Sequence, residues 1–194
     1  MTIIKSPQIT LAEFLKLPET KPGSEFIDGE IIQKPMPKGR HSRLQSKLGN
    51  AINQVAETQK IAYAFSELRC TFGDRSIIPD LAVFQWQHIP FNANGEVPDD
   101  FMLSPDWVIE TLSPEQKPNK VIGNILHCLR YSCQLGWFLD PDDHSILVFL
   151  ANQQPQLLIG VDIVPVLSGI DLKLTVNDIF GWLKMASTTS QKYV

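Results

Sequence analysis

The chain has 194 residues, 43% of them hydrophobic, and a formal net charge of -4 from 17 basic and 21 acidic side chains. That length and apolar content suit one domain with a sizeable core. The acidic balance excludes a surface that is basic all over, while leaving room for a local basic patch that meets nucleic acid. No run approaches the ~18 apolar residues of a membrane span. The opening M-T-I-I-K-S-P-Q lacks the apolar core of a signal peptide, so a cytoplasmic location is expected. Cys70, Cys128 and Cys133 form no C-x-x-C pair and read as reduced core thiols, not as a zinc site or a disulfide framework.

In chain order, a tail over residues 1–9 precedes a predicted domain at 10–184, and a second tail covers 185–194. Thr10 and Glu13 form a capping box for a helix from Leu11 to Leu17, which Pro18 ends. In E-F-I-D-G-E-I-I, Asp28-Gly29 between alternating apolar residues signals a two-residue hairpin, and Glu30 follows its turn. A helix from His41 to Gln59 places Leu44, Leu48, Ile52 and Val55 on one face. Two β runs follow, I-A-Y-A-F-S-E-L-R-C-T-F and I-I-P-D-L-A-V-F, joined by G-D-R-S as an antiparallel hairpin. The simplest register sets Asp80 opposite Arg69, with Glu67 two residues further on the same face. Pro79 lacks a backbone donor and belongs where pairing is interrupted.

Trp86 to Ser104 reads as a long surface loop. A central strand over Asp106 to Leu112 leads to a helix from Asn119 to Gln134, with Ile122, Ile125, Leu126, Leu129 and Cys133 as its core face. Lys120 falls in that helix's first turn. Strands at Gly136–Asp140, Ser145–Leu150 and Gln156–Gly160 and a helix at Val176–Leu183, capped by Thr175, complete the domain. The order describes a mixed α/β, α+β-like architecture, with a strand–helix–strand crossover between the Glu110 and Trp137 strands.

Two features point to chemistry. Asp80 and Glu110 each stand within an apolar β run, and a buried carboxylate is costly unless it is paired or binds a cation. Two of them on neighbouring strands suggest a shared divalent metal. A run of basic residues, Lys34, Lys38, Arg40, Arg43 and Lys47, contains no acid and is a candidate surface for phosphate, although a solvated helix face also explains it. His41, at the helix start, can meet a phosphate or a carboxylate.

Pro79-Asp80 and I-E-T-L-S-P, with E-F-I-D-G-E-I-I before them and G-W-F-L-D-P-D-D after, resemble the Uma-type family of bacterial restriction endonucleases, within the PD-(D/E)XK nuclease superfamily. The likeness runs from about Thr10 to Leu183. It implies a restriction-endonuclease-like core, a mixed central sheet flanked by helices, in a single domain. It also implies Mg²⁺, or Mn²⁺ in its place, held by Asp80 and Glu110, with Glu30 and His41 as further site residues and no organic cofactor. DNA is the implied partner, and a homodimer fits the class. The superfamily lysine two residues after the Glu is replaced by Leu112. The displaced helix position that some members use holds Asn124, which leaves Lys120 as the candidate.

Three functions compete at this point. One is a Mg²⁺-dependent DNA endonuclease, with the Lys34–Lys47 surface gripping the backbone. Another is a catalytically weakened nuclease fold that only binds nucleic acid or a protein. The last is a structural or regulatory protein whose two acids are merely solvated.

Overall fold

The structure is a computed structural model and describes residues 9–186, so the expected end tails lie almost entirely outside the described residues. The first helix, α1 (Leu11–Phe14), is a single turn closed by the expected Thr10–Glu13 capping box. Next, β1 (Ser24–Ile27) and β2 (Glu30–Gln33) form the expected hairpin. Asp28 and Gly29 both adopt positive φ, 52° and 84°, as a tight two-residue turn demands. The long helix α2 (Gly39–Ala56) starts two residues before the expected His41 and stops three before Gln59.

The next stretch departs from expectation. The two β runs do not form one hairpin, because each breaks and its halves enter different sheets. Strand β3 (Ala62–Ser66) pairs with β6 (Leu81–Gln85), while β4 (Cys70–Phe72) pairs with β5 (Arg75–Ile77) across the Gly73-Asp74 turn. The breaks fall at Glu67–Arg69, where Glu67 takes φ 50°, and at Ile78–Asp80, where Pro79 cannot donate to a ladder. Asp80 therefore does not face Arg69. The Glu67 backbone N–H donates to the Asp80 carbonyl at 3.3 Å, and Arg69 turns to Glu19, the Ser24 carbonyl and Ser76.

Strand β7 (Trp107–Thr111) runs antiparallel to β6 and parallel to β8 (Leu135–Asp140), to which α3 (Pro118–Arg130) connects it. Then β9 (Ser145–Leu150), β10 (Gln156–Ile159) and the Thr175-capped α4 (Val176–Gly181) follow. Among the described residues the strands form a mixed six-stranded sheet, β10-β9-β8-β7-β6-β3, and a four-stranded one, β2-β1-β5-β4.

Strand alternation divides the core. Leu81, Val83, Trp107 and Ile109 face α2, where Leu44, Leu48 and Ile52 bury against them. Ala82, Phe84 and Val108 face α3, whose buried residues are Val121, Asn124, Ile125, His127 and Cys128. This is a rotation of the expected helix face, and Leu126 is exposed. Helical spacing alone could not separate the two faces, because apolar residues lie on both. The rotation turns Asn124 inward and brings Lys120, one turn earlier, to the same side. All three cysteines are buried free thiols. No helix among the described residues is long and apolar enough to cross a membrane.

Close approach of α3 to the sheet depends on Gly136, where an added Cβ would overlap Ile125 Cγ2. Gly136→Ala is therefore expected to destabilise the protein by about 1–3 kcal/mol, as overpacking in a filled core does. Urea unfolding followed by circular dichroism measures it, and an unchanged midpoint would contradict this packing.

Candidate active site at the junction of the two sheets

Asp80 lies where the chain leaves the small sheet and enters the large one. Pro79 interrupts the ladder there, and charged and amide side chains replace the lost sheet partners. Glu25 Oε1 accepts from the Ile78 backbone N–H at 2.8 Å. Lys34 Nζ donates to the Ile78 carbonyl at 2.6 Å, and Gln45 Nε2 to the Asp80 carbonyl at 2.8 Å. The β1–β2 hairpin and α2 thus grip the backbone on both sides of Pro79.

The Asp80 carboxylate is fully engaged. Its Oδ1 accepts from Lys34 Nζ at 2.8 Å and lies 3.3 Å from His41 Nε2, while its Oδ2 accepts from the Thr111 backbone N–H at 2.7 Å. His41 Nδ1 is 3.1 Å from Ser113 Oγ, so an imidazole with its proton on Nε2 donates to Asp80 and accepts from Ser113. Glu110, the residue before Thr111, follows Val108 onto the α3 side of the sheet. Asp80 and Glu110 are only 2% and 4% exposed. Glu110 Oε1 and Asn124 Oδ1 are both buried without a hydrogen-bond partner. They line a cavity of about 380 Å³ together with Glu25, Lys34, Lys117 and Lys120. A second cavity, of about 490 Å³, opens on the Asp80 and His41 side. Lys34, Pro35 and Gln116 border both.

The charges do not balance. Glu25, Asp80 and Glu110 are three buried acids, and Lys34, its side chain 13% exposed, brings an ammonium among them. Burial works to raise the Asp80 pKa, but the Lys34 charge and the His41 and Lys34 hydrogen bonds outweigh it and hold it at about 2. For Glu110, burial and then the Asp80 charge push the pKa well up. Burial also raises Glu25, against the pull of Lys34. Burial opposes the Lys34 ammonium too, yet Asp80, Glu110 and Glu25 together bind its proton more tightly than in an ordinary lysine.

The structure thus brings Asp80, Glu110, His41 and Lys34 together. Lys120 is exposed at the cavity rim, and Glu30 is exposed beside the hairpin turn, outside the cavity lining. The acid that the hairpin sends to the site is Glu25, on the face opposite Phe26. Neighbouring Ser24, Glu25 and Phe26 are all buried, so no period-2 alternation marked Glu25 in the sequence. The basic run is also less free than its local composition suggests, because partners arrive from distant segments. Lys38 pairs with Glu115 at 2.5 Å and Arg40 with Asp142 at 2.6 Å. Arg40 also donates to the Pro141 carbonyl, and Arg43 to that of Trp182. Lys47 is exposed.

A family profile described as "Putative restriction endonuclease", Uma2, matches residues 11–177. The chain belongs to the Uma2 family. Its structure is similar to the crystal structure of a "putative nuclease belonging to DUF820" from Anabaena variabilis ATCC 29413. The two are 51% identical, the match covers 91% of this chain and 99% of that one, and the TM-score is 0.89. No curated protein matches the chain. Both likenesses support a nuclease-like function for this Uma2 protein.

The raised Glu110 pKa has a measurable consequence in metal-free protein. A carboxyl raised on folding favours the fold while protonated. Its contribution is complete below the unfolded value near 4.5 and is lost as pH climbs through the folded value. Depressed Asp80 behaves oppositely, contributing above about 3.8 and losing that as pH falls toward 2. Glu110→Gln is therefore expected to raise the melting temperature at pH 7–8, by about 2–4 °C per kcal/mol relieved, and to change it little at pH 4. A melting temperature lowered at pH 8 and unaffected by pH would contradict the buried-charge account.

Proposed function

We propose that this protein is a divalent-metal-dependent endonuclease that hydrolyses DNA phosphodiester bonds, with Asp80 and Glu110 holding Mg²⁺ or Mn²⁺. The observation carrying the proposal is Glu110 Oε1, buried and unpartnered beside Asp80 in a site with more acid than cation. Three carboxylates against one ammonium leave a deficit that a doubly charged ion would offset. Among the described residues no three His, Cys, Asp or Glu side chains are placed to hold an ion by themselves. Mg²⁺ binds through one or two carboxylates and keeps several waters, so Asp80 and Glu110 would be sufficient protein ligands for it. A bound ion would supply Lewis-acid polarisation of a phosphate oxygen and a lowered pKa for water.

The chain's own residues do the rest. Thr111 N–H and His41 hold the Asp80 carboxylate in one orientation, and Ser113 in turn fixes the His41 ring. Glu25 and Gln45 hold the backbone that carries Asp80, so the carboxylate is positioned before substrate arrives. Lys117 and Lys120 at the cavity rim would attract a phosphate toward the buried acids, and Lys38, Arg40 and Lys47 would contact the DNA backbone without choosing a sequence.

A second reading, a module that binds DNA without cutting it, draws on the Lys34–Asp80 ion pair, since an internal partner already neutralises Asp80. The two readings separate experimentally. Asp80→Ala and Glu110→Ala are each expected to abolish Mn²⁺ binding in calorimetry and to lower nicking of plasmid DNA by about a hundredfold or more. Nicking that survives both changes would refute the assignment. Salt-sensitive binding with no turnover in the parent protein would favour the binding module. Lys47→Ala and Lys120→Ala are expected to weaken DNA binding about equally for all sequences and to reduce the salt slope by about one each. An unchanged slope would remove them from the interface.

A further inference from the structure

We propose that Lys34, the residue after β2, is the catalytic ammonium of this site, acting from the hairpin side in the place that the inward-facing position of α3, Asn124, leaves without a charge. This rests on the nuclease reading above and adds a residue to it.

Around the two acids, α3 presents Lys117 and Lys120 at the rim, both exposed, and Asn124 in the interior. Asn124 has neither a charge nor a partner for its Oδ1. Of the three lysines, Lys34 is the one that places its charged nitrogen against Asp80, with Nζ 2.8 Å from Oδ1, and its side chain is largely buried. It borders both cavities, the one lined by Glu110 and the one lined by Asp80.

Its local setting is that of a held group. The Ile78 carbonyl fixes the ammonium at 2.6 Å, and the Lys34 backbone N–H continues the hairpin ladder by donating to the Gly23 carbonyl at 3.0 Å. Pro35 and Pro37 stiffen the chain that follows. A purely structural lysine at this place would serve only to neutralise Asp80, and an ion between Asp80 and Glu110 would then compete with it. A catalytic lysine would instead leave Asp80 Oδ1 to an ion and offer its ammonium to the substrate, with its bond to the Ile78 carbonyl keeping it at the site.

In the reaction, a water oxygen forms a bond to phosphorus and the bond from phosphorus to the leaving oxygen breaks. The water gives up one proton to solvent and the leaving oxygen takes one up. One water is consumed, and the products are a phosphomonoester and an alcohol. Lys34 remains protonated throughout. Its positive charge offsets the negative charge that accumulates on the non-bridging oxygens as the new bond forms.

The test compares the full-length protein with Lys34→Met, in Mn²⁺, measuring plasmid nicking and Mn²⁺ affinity by calorimetry. The proposal requires nicking to fall by about a hundredfold or more while Mn²⁺ binds as tightly or more tightly, because a competing cation has gone. Nicking within about threefold of the parent overturns it, as does a parallel loss of nicking and Mn²⁺ affinity, which marks a structural lysine. A double variant, Lys34→Gln with Asn124→Lys, covers the case in which Lys34→Met does not fold. It returns a lysine from the α3 side and is expected to nick at least about tenfold faster than Lys34→Gln alone. A double variant that folds and binds Mn²⁺ but gains nothing also overturns the proposal. A parent that binds Mn²⁺ but cleaves no DNA refutes the nuclease reading itself, a different outcome from active Lys34→Met.

Discussion

A carboxylate removed from water must be compensated, and at the junction of the two sheets three of them depend on one ammonium. Lys34 bonds directly to Asp80 and lies within the electrostatic reach of Glu110 and Glu25. This shared compensation explains why the three acids behave differently. Asp80, with the direct contact and a backbone donor, keeps its charge to about pH 2. Glu110, with an oxygen facing nothing, is the acid whose charge the fold tolerates least. The junction therefore holds more buried acid than cation.

That arrangement depends in turn on a break in the backbone. Because Pro79 cannot continue a ladder, the chain passes from the small sheet to the large one at Ile78–Asp80, and backbone groups that a strand would have paired become free. Glu25, Lys34 and Gln45 take them up. The same side chains that satisfy the backbone thus deliver an acid and a cation to the candidate site, so one set of contacts both holds the chain and furnishes the site. The β1–β2 hairpin, peripheral in the order of elements, is the second wall of the candidate site.

Much of this was legible in the sequence, and the failures have physical reasons. The Asp28-Gly29 turn, the Thr10–Glu13 capping box, the Thr175 cap, the α2 core face and the Ser145–Leu150 strand follow from local chemistry, which neighbours only reinforce. Asp80 and Glu110 stood out because acids within apolar β runs need compensation. Arg69 opposite Asp80 failed because a register assumes a continuous strand, and both strands break. Lys34 was visible as a charge but read with its basic neighbours as surface. Its burial comes from contacts 44 and 46 residues away, which no local pattern encodes. Lys120 lies exposed at the cavity rim, one turn of α3 before the inward Asn124, and Glu25 had no alternation to reveal it.

The central claim is that Asp80 and Glu110 share one divalent ion. Anomalous diffraction from crystals soaked in Mn²⁺ tests it most directly. The account predicts one strong peak within about 2.0–2.3 Å of both carboxylates, with Lys34 Nζ moved away from Asp80 Oδ1. Saturating Mn²⁺ that leaves the Lys34–Asp80 contact intact, with no peak between the two acids, would contradict it.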